Sequence, residues 1–321
     1  MNNITVYGGG VIGSGWAIAF LLGGKNVTVY DVNEECLSST KERIESWYLS
    51  LSEIDPECFD KDRILKSLAG VVYTTDTEQA VASADFIQEC GPEKLQIKQA
   101  IVKSIEEFNH TSIIASSTSG QTVTDIAAYA SFPERIIAGH PFNPVHLMPL
   151  VEVCGGEKTS KDVLAKAKEI YASIGKMPVV LEKEIPGFIA NRIQNALNRE
   201  VQDLVLNGVA SVEDIDKAVT FGIGIRLGII GPHLVYELAG GEGGISDYVT
   251  KYRPSQKSLG SLANWTERPI EYDQLAINGT KEELLNRTPD KGNSHESLEH
   301  YRDKGLIEQL KFHQLTEKWR K

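Results

Sequence analysis

A histidine and a glutamate in the middle of the chain have the spacing of a proton-transfer pair. His140 lies two residues after the β-rich run 135–138, and Glu152 lies within the next β-rich run, 150–153. Open α/β folds bind ligands at the carboxyl ends of their strands, so His140 can face a substrate while Glu152 reaches its second ring nitrogen. In such a pair the imidazole takes a hydroxyl proton and the carboxylate stabilises the imidazolium. The spacing alone also permits a structural histidine.

A glycine-rich turn near the start of the chain predicts a dinucleotide site. Residues 8–13 read GGGVIG, a GxGxxG pattern between a β-rich run and an apolar segment. The first glycine of this pattern permits a tight turn, the second lets the backbone approach a diphosphate, and the third allows a helix to pack closely on a strand. The helix N-terminus then binds the phosphate charge. The residues assigned to the cofactor here are Gly8, Gly10, Val11, Ile12 and Gly13.

Asp31 identifies the expected cofactor. It ends the β-rich run 26–30, and a carboxylate at that position accepts hydrogen bonds from both adenosine ribose hydroxyls. The same charge repels the 2′-phosphate of NADP, and no arginine follows among the next residues, Val32 and Asn33. The sequence therefore predicts NAD, with a purely structural glycine-rich loop as the alternative.

The elements that would position these residues alternate along the first half of the chain. Helix-length segments separate most of the short β-branched runs, which are 4–7, 26–30, 71–73, 86–87, 112–115, 135–138, 150–153 and 178–181. This alternation predicts an α/β fold of the Rossmann type, a doubly wound and mostly parallel sheet with helices on both faces. Beyond it, Pro186 suits a first helical turn and apolar residues repeat at helical spacing. We therefore predict a Rossmann domain over 1–184 and an all-helical domain over 185–321, which ends in a C-terminal extension.

Composition and charge exclude several classes of function. The chain has 321 residues, enough for two domains. Its net charge of −11 repels nucleic acid and anionic membranes, so neither is expected as a partner. The apolar run 15–24 is too short to cross a bilayer and follows no basic segment, so we expect a cytoplasmic protein. The four cysteines lack the spacing of a zinc or redox site.

Four segments resemble the L-3-hydroxyacyl-CoA dehydrogenase family, and the resemblance covers essentially the whole chain. They are GGGVIGSG at 8–15, ASSTSG at 115–120, GHPFNPVHLMPLVEV at 139–153 and IPGFIANR at 185–192. The resemblance implies that His140 is the general base and Glu152 its orienting partner. It also implies that Ser119 and Asn191 hydrogen-bond the reacting oxygen while a hydride passes to NAD, with no metal required.

The same resemblance bears on two further positions and on assembly. Ser117 stands where the family commonly has Asn beside the nicotinamide, which predicts a changed contact with retained activity. Glu93 resembles the family's acidic residue near the nicotinamide ribose, with a carboxylate at a helix start as the alternative. The helical domain of the family binds substrate and usually forms a dimer interface, so a homodimer is expected.

Segments of the second domain resemble one branch of the family. They are FGIGIRLGIIGP at 221–232, LAGGEGG at 238–244 and LEHYRD at 298–303. That branch holds λ-crystallin, L-gulonate 3-dehydrogenases and L-carnitine dehydrogenases, and the last two segments are most similar to the carnitine enzymes. The resemblance implies NAD-dependent oxidation of the 3-hydroxyl of L-carnitine to 3-dehydrocarnitine. The alternatives are a 3-hydroxyacyl-CoA such as 3-hydroxybutyryl-CoA, L-gulonate, or a structural, crystallin-like protein that binds NAD without catalysis.

A small 3-hydroxy carboxylate that also carries a trimethylammonium needs two kinds of contact. Arg226 suits bidentate recognition of the carboxylate, with a structural salt bridge as the alternative. The trimethylammonium has no N–H and is recognised by aromatic faces and negative charge. The candidates for this contact, each of which could instead serve packing or capping, are Phe188, Phe221, Tyr236 and Glu242. Leu227 stands where carnitine dehydrogenases often carry Trp, which predicts a differently built cage or none.

Overall fold

The β-branched runs form a single sheet in the computed structural model, which describes residues 1–256, 269–317 and 319. The eight strands in these residues are β1 (Asn3–Tyr7), β2 (Asn26–Tyr30), β3 (Val72–Thr74), β4 (Phe86–Glu89), β5 (Ile113–Ser116), β6 (Ile136–Pro141), β7 (Leu150–Gly155) and β8 (Met177–Val180). Their order across the sheet is β3-β2-β1-β4-β5-β6-β7-β8. Strands β1 to β6 are parallel, β7 runs antiparallel to β6, and β8 is parallel to β7. The predicted doubly wound, mostly parallel sheet is confirmed, and the antiparallel β7 is a feature that the sequence did not predict.

Helices cover the sheet on both faces. Those that connect its strands are α1 (Val11–Leu22), α2 (Glu34–Ile54), α3 (Lys61–Ala69), α4 (Thr77–Val81), α5 (Leu95–Glu106), α6 (Val123–Ile126) and α7 (Lys161–Ser173). Successive residues of a buried strand point to opposite faces, and β4 shows the result. Phe86 packs in the hydrophobic cluster that contains Trp16 of α1, whereas Ile87 packs in the cluster that contains Val102 of α5.

Packing divides the chain into two units. The first comprises Met1–Asn191 together with Asp303–Lys321, and the second comprises Arg192–Arg302. The division that the sequence predicted, at 184/185 with everything later in the second domain, differs in two respects. The helix after the boundary begins against Glu152 of the first unit, and the end of the chain returns to that unit.

The second unit is helical in its described residues. Its helices are α8 (Ala190–Leu206), which starts in the first unit, α9 (Val212–Ala218), α10 (Ile225–Leu227), α11 (Pro232–Ala239), α12 (Gly244–Gln256), α13 (Glu271–Asn286) and α14 (His295–Phe312), which ends in the first unit. A π-helical turn over Val219–Gly224 joins α9 to α10. No single helix in the described ranges is long and apolar enough to cross a bilayer, although the bent pair Val212–Leu227 and Pro232–Ala239 meets that test jointly.

The end of the chain is anchored on the first unit by apolar and polar contacts. Trp319 is 6% exposed, and its ring centroid lies 5.4 Å from that of Phe59. Arg63 Nη1 donates to the carbonyl oxygen of Trp319 at 2.7 Å. Before this point, Lys311 Nζ on α14 lies 2.7 Å from Asp55 Oδ2 at the end of α2. The end of α14 and Trp319 therefore belong to the packing of the first unit.

Candidate active site

Strand register brings His140 and Glu152 together. In the antiparallel pair β6 and β7, His140 lies directly opposite Glu152. Opposite residues of such a pair point to the same face of the sheet, with their Cβ atoms about 5 Å apart. His140 Nδ1 and Glu152 Oε2 are 2.9 Å apart, and both side chains are buried. The pairing that the sequence predicted is present as a direct hydrogen bond.

The second oxygen of Glu152 is held by the start of α8. The backbone N–H groups of Ile189 and Ala190 donate to Glu152 Oε1 at 2.8 and 3.0 Å. Burial would raise the pKa of the Glu152 carboxyl, but the hydrogen bonds from His140 and from these amides hold that pKa below its ordinary value. An ionised carboxylate only accepts hydrogen bonds, so His140 carries its proton on Nδ1 and leaves Nε2 free to accept one. This is the tautomer that a general base requires.

Glu93 organises the loop that carries Ser119. Its Oε1 accepts hydrogen bonds from Thr118 Oγ1 at 2.6 Å and from the backbone N–H groups of Ser119 and Gly120 at 3.0 Å each. Burial would raise the pKa of the Glu93 carboxyl, but the Thr118 hydroxyl and the charge of Lys98 outweigh it and lower that pKa. Ser119 itself is exposed at the end of the loop. Glu93 therefore holds its charge and fixes the position of Ser119 within the first unit.

A buried ion pair next to this loop was not predicted from the sequence. Lys98 Nζ lies 3.1 and 3.0 Å from the two carboxylate oxygens of Glu89, and each side chain is 1% exposed. Glu89 also accepts hydrogen bonds from the Ser116 hydroxyl and from the Gly91 backbone N–H. A signal was available, because Lys98 shares a helical face with Leu95 and Val102, and a charge on an apolar face requires a buried partner.

The glycine-rich turn has the shape that a dinucleotide needs. Gly8 has φ +108°, and a Cβ on it would lie 2.8 Å from the Cys90 carbonyl oxygen. A Cβ on Gly13 would lie 1.9 Å from the Gly8 oxygen, so α1 packs on β1 only without a side chain there. A Cβ on Gly10 would have nothing within 4 Å, which leaves the backbone open at the start of α1. The turn therefore has the close packing and the open approach that the motif predicts, and its residues fit a diphosphate at the helix N-terminus.

Two charged side chains flank Gly9 in the middle of the turn. Asp31 Oδ2 accepts the Gly9 backbone N–H at 2.8 Å, which places the predicted ribose-binding carboxylate beside the turn. Arg43 of α2 donates through Nη1 to the Gly9 carbonyl oxygen at 3.1 Å and to Ser14 Oγ at 3.2 Å. No local pattern in the sequence singles out Arg43, because its contact with the turn depends on how α2 packs against α1.

Ser117 is half-buried at the centre of a polar network. Its hydroxyl oxygen accepts hydrogen bonds from Gln88 Nε2 at 2.9 Å and from Trp16 Nε1 at 3.2 Å. Cys90 Sγ lies 3.2 Å from the same oxygen. Tyr171 donates to Gln88 Oε1 at 2.6 Å and thereby fixes the orientation of that amide. Both lone pairs of the Ser117 oxygen are occupied, so its hydroxyl can act toward Cys90 or a ligand only as a donor.

The remaining predicted site residues lie in different places. Asn191 is the second residue of α8 and is half-buried, one position after an amide that contacts Glu152. Phe188 is 3% exposed, and its ring stacks on that of His140. The other four predicted substrate residues are exposed in the second unit, and they are Phe221, Arg226, Tyr236 and Glu242. Tyr236 stacks on Tyr248 with ring centroids 4.5 Å apart.

The chain matches one family along most of its length. Residues 3–185 match the NAD-binding domain of 3-hydroxyacyl-CoA dehydrogenases, and residues 187–275 match their C-terminal domain. The chain is 37% identical to an L-carnitine dehydrogenase of Oceanobacillus iheyensis, with 96% of each chain covered. It is 38% identical to an L-carnitine dehydrogenase of Streptomyces coelicolor, with 97% of this chain and 94% of the relative covered.

Solved structures show the same architecture. An NAD+-dependent 5-formyl-3-hydroxy-2-methylpyridine 4-carboxylic acid 5-dehydrogenase superposes with a TM-score of 0.77 at 28% identity, covering 99% of both chains. The 3-hydroxybutyryl-CoA dehydrogenase of Escherichia coli has a TM-score of 0.66 at 28% identity, covering 87% of this chain and 57% of that one. The predicted Rossmann domain followed by a helical domain, and the predicted NAD cofactor, are confirmed by these likenesses together with the sheet.

Proposed function

The chain belongs to the 3-hydroxyacyl-CoA dehydrogenase family, and from that premise we propose that it oxidises the 3-hydroxyl of L-carnitine to a ketone. The proposal rests on the hydrogen-bonded His140 and Glu152 in a chain that matches L-carnitine dehydrogenases along nearly all of its length. NAD, when bound, supplies the acceptor for the hydride that leaves C3. The turn at Gly8, Gly10 and Gly13, with Asp31, would hold its adenosine and diphosphate, while Glu93 and Ser117 would contact its nicotinamide end.

His140 performs the proton transfer in this proposal. Its Nε2 takes the hydroxyl proton while C3 loses its hydrogen as a hydride. The electron pair of the broken O–H bond becomes the second carbon–oxygen bond of the ketone, and the imidazole becomes an imidazolium. Glu152 stabilises that charge through the 2.9 Å hydrogen bond to Nδ1. The N–H groups of Ile189 and Ala190 keep Glu152 in place, so little reorganisation accompanies the transfer.

Ser119 and Asn191 are proposed to hydrogen-bond the reacting oxygen. Glu93 fixes the backbone of Ser119, and α8 fixes that of Asn191. Donors held by rigid elements stabilise an oxygen whose charge changes during reaction better than mobile donors do. Both residues are therefore expected to affect kcat more than the binding of NAD.

Arg226 is proposed to pair with the substrate carboxylate, and Phe221, Tyr236 and Glu242 to recognise the trimethylammonium. All four are exposed and therefore accessible to a ligand. Arg226→Met should raise KM for L-carnitine about tenfold or more, since a charge-assisted hydrogen-bonded pair is lost. An unchanged KM for L-carnitine in this variant would assign Arg226 to structure alone.

The substrate assignment is tested by NAD reduction with L-carnitine, 3-hydroxybutyryl-CoA and L-gulonate supplied separately at equal concentration. We expect a clear preference for L-carnitine. A preference for the CoA ester, which the structural likeness to the E. coli enzyme makes the second candidate, would overturn the substrate but keep the chemistry of His140. Turnover with none of the three would instead favour a structural NAD-binding protein.

A homodimer is also proposed, from the surface of the second unit. Large apolar side chains are exposed in one segment of it, among them Leu234 at 58% and Leu238 at 73%. Soluble monomers rarely expose so much apolar surface in one place. Leu238→Lys is expected to convert a dimer to a monomer in analytical ultracentrifugation, whereas Leu285→Lys, which changes an exposed leucine of α13, should leave the dimer intact. A wild-type chain that sediments as a monomer would contradict the proposal.

A further inference from the structure

Phe188 occupies an unusual place in the turn that precedes α8. Its backbone has φ +49°, in the left-handed region that bulky residues rarely adopt, and the preceding Gly187 has φ +78°. The side chain is nevertheless 3% exposed. The conformation aims the next two N–H groups, those of Ile189 and Ala190, at Glu152. Strain of this kind persists only where the surrounding structure enforces it, and here it lies beside the proposed base.

The ring of Phe188 lies on the imidazole of His140. The two ring centroids are 5.1 Å apart and the planes are inclined by 26°, which is a stacked arrangement. Phe142 makes a second, T-shaped contact with the same imidazole at 5.5 Å and 71°. Glu152 on β7 places a carboxylate oxygen 2.9 Å from Nδ1 of that ring. His140 is therefore held between a carboxylate at Nδ1 and an aromatic face.

We propose that Phe188 is a positioning residue of the base, whose π face stabilises the imidazolium that forms when His140 takes the substrate proton. A cation over an aromatic face is attracted by the ring quadrupole, and the attraction is larger when both groups are desolvated. The Phe188 ring stabilises the neutral imidazole much less. The contact therefore favours the protonated His140 that forms in the proton transfer over the neutral His140 that precedes it. The stacked ring also fixes the plane of the imidazole and thereby the direction of Nε2.

A role in packing alone makes a different prediction. Any apolar side chain of similar volume would then fill the site, and the electron density of the ring would not matter. Successive fluorination of phenylalanine withdraws electron density from the π face of the ring and changes the size of the ring little. The proton equilibrium of His140 and the rate of proton transfer therefore distinguish the two roles.

The experiment replaces Phe188 in the full-length protein with 4-fluoro-, 3,4,5-trifluoro- and pentafluorophenylalanine by site-specific incorporation. The imidazole of His140, assigned by its loss in His140→Ala, is titrated by NMR without substrate. We expect its midpoint to fall stepwise with fluorine number, by about half to one pH unit for the pentafluoro ring. Over the same series, kcat for L-carnitine oxidation at alkaline pH should fall about three- to tenfold, with KM for NAD unchanged.

The matched control is the same fluorinated series at Phe59, a buried ring whose centroid lies 5.4 Å from that of Trp319. It should leave both the midpoint and kcat unchanged. A titration midpoint of His140 that does not change with fluorine number at position 188 would overturn the inference. Because 4-fluorophenylalanine changes a single atom, that variant is expected to fold and allows the comparison even if the pentafluoro variant does not. The inference rests on the proposed role of His140, yet the titration needs no substrate. Wild-type protein that fails to oxidise L-carnitine would therefore refute the proposed function without deciding the role of Phe188.

Discussion

At the residue scale, Glu152 shows how one carboxylate serves two purposes. One of its oxygens accepts a hydrogen bond from His140, and the other accepts two backbone N–H groups at the start of α8. These contacts lower the pKa of Glu152 despite its burial, so it stays ionised as the pH falls below neutral. A fixed negative charge beside Nδ1 selects the tautomer and stabilises the protonated ring.

Replacing Glu152 by glutamine should preserve the shape of the site and remove its charge. We expect Glu152→Gln to lower kcat about 10²- to 10⁴-fold, since the amide neither selects the tautomer nor stabilises the imidazolium. Binding of NAD, followed by fluorescence titration with NADH, should be unchanged. Glu157→Gln, which alters an exposed carboxylate shortly after β7, serves as the control. Equal kcat values for the two variants would remove Glu152 from the mechanism.

Arg43 restrains the glycine-rich turn of the proposed nucleotide site. It donates to the Gly9 carbonyl oxygen and to Ser14 Oγ, and so restrains the turn and adds positive charge near the expected diphosphate. We expect Arg43→Met to raise KM for NAD about three- to tenfold with kcat little changed, because a charge-assisted contact is lost. Lys41→Met, on the exposed side of α2, should behave like the wild-type protein in steady-state kinetics. A lowered kcat with unchanged KM in Arg43→Met would contradict this role.

At the element scale, a lysine next to β8 holds the loop that joins β6 to β7. Lys176, which precedes β8, donates through Nζ to the Met148 carbonyl oxygen at 2.9 Å and to that of Val145. Its side chain is buried, and burial lowers its pKa to about 7. The join between β6 and β7 therefore depends on an amine that gains a proton near neutral pH.

The buried amine of Lys176 makes the free energy of unfolding depend on pH. In the unfolded chain a lysine has a pKa of about 10.4, so between pH 7 and pH 10 the unfolded state binds more protons than the folded state. The free energy of unfolding should therefore rise with pH across this window. Lys176→Met should lose that rise, measured by urea denaturation at pH 7, 8 and 9, whereas exposed Lys168→Met should keep it. A slope that survives in Lys176→Met would refute the assignment.

At the scale of the whole molecule, the packing of the first unit is completed by residues from the end of the chain, far from the rest of that unit in the sequence. Trp319 packs on Phe59, and its backbone accepts a hydrogen bond from Arg63, so α3 and the end of the chain are joined. Burying an aromatic side chain of this size is among the larger single contributions to stability.

Removal of this anchor should weaken the first unit. We expect Trp319→Ala to lower the free energy of unfolding by about 3 kcal/mol, measured by chemical denaturation, because a buried ring is lost and a cavity remains. Phe312→Ala, at a ring that is 62% exposed on α14, should change it by less than about 0.5 kcal/mol. Equal stabilities of the two variants would show that the end of the chain contributes little.

The local patterns of the sequence were sufficient for the elements and for the cofactor. The β-branched runs, the glycine-rich turn and Asp31 depend on neighbours within one βαβ unit, so their spacing predicts the strands, the turn and NAD. The pair of His140 and Glu152 was predictable for a related reason, since both belong to one hairpin. The helical spacing of apolar residues after Pro186 predicted the helical second domain, and the family resemblance supplied Ser119 and Asn191.

Only the tertiary structure decided how distant segments meet. The ion pair of Lys98 with Glu89, the contact of Arg43 with Gly9, the stacking of Phe188 on His140 and the return of Trp319 to Phe59 each join elements that the sequence treats separately. Such contacts depend on strand order and on which helix faces pack together, and these are set by the burial of the whole core. The sequence by itself therefore determined the chemical groups and the local elements that carry them, whereas long-range packing determined the surroundings that tune those groups.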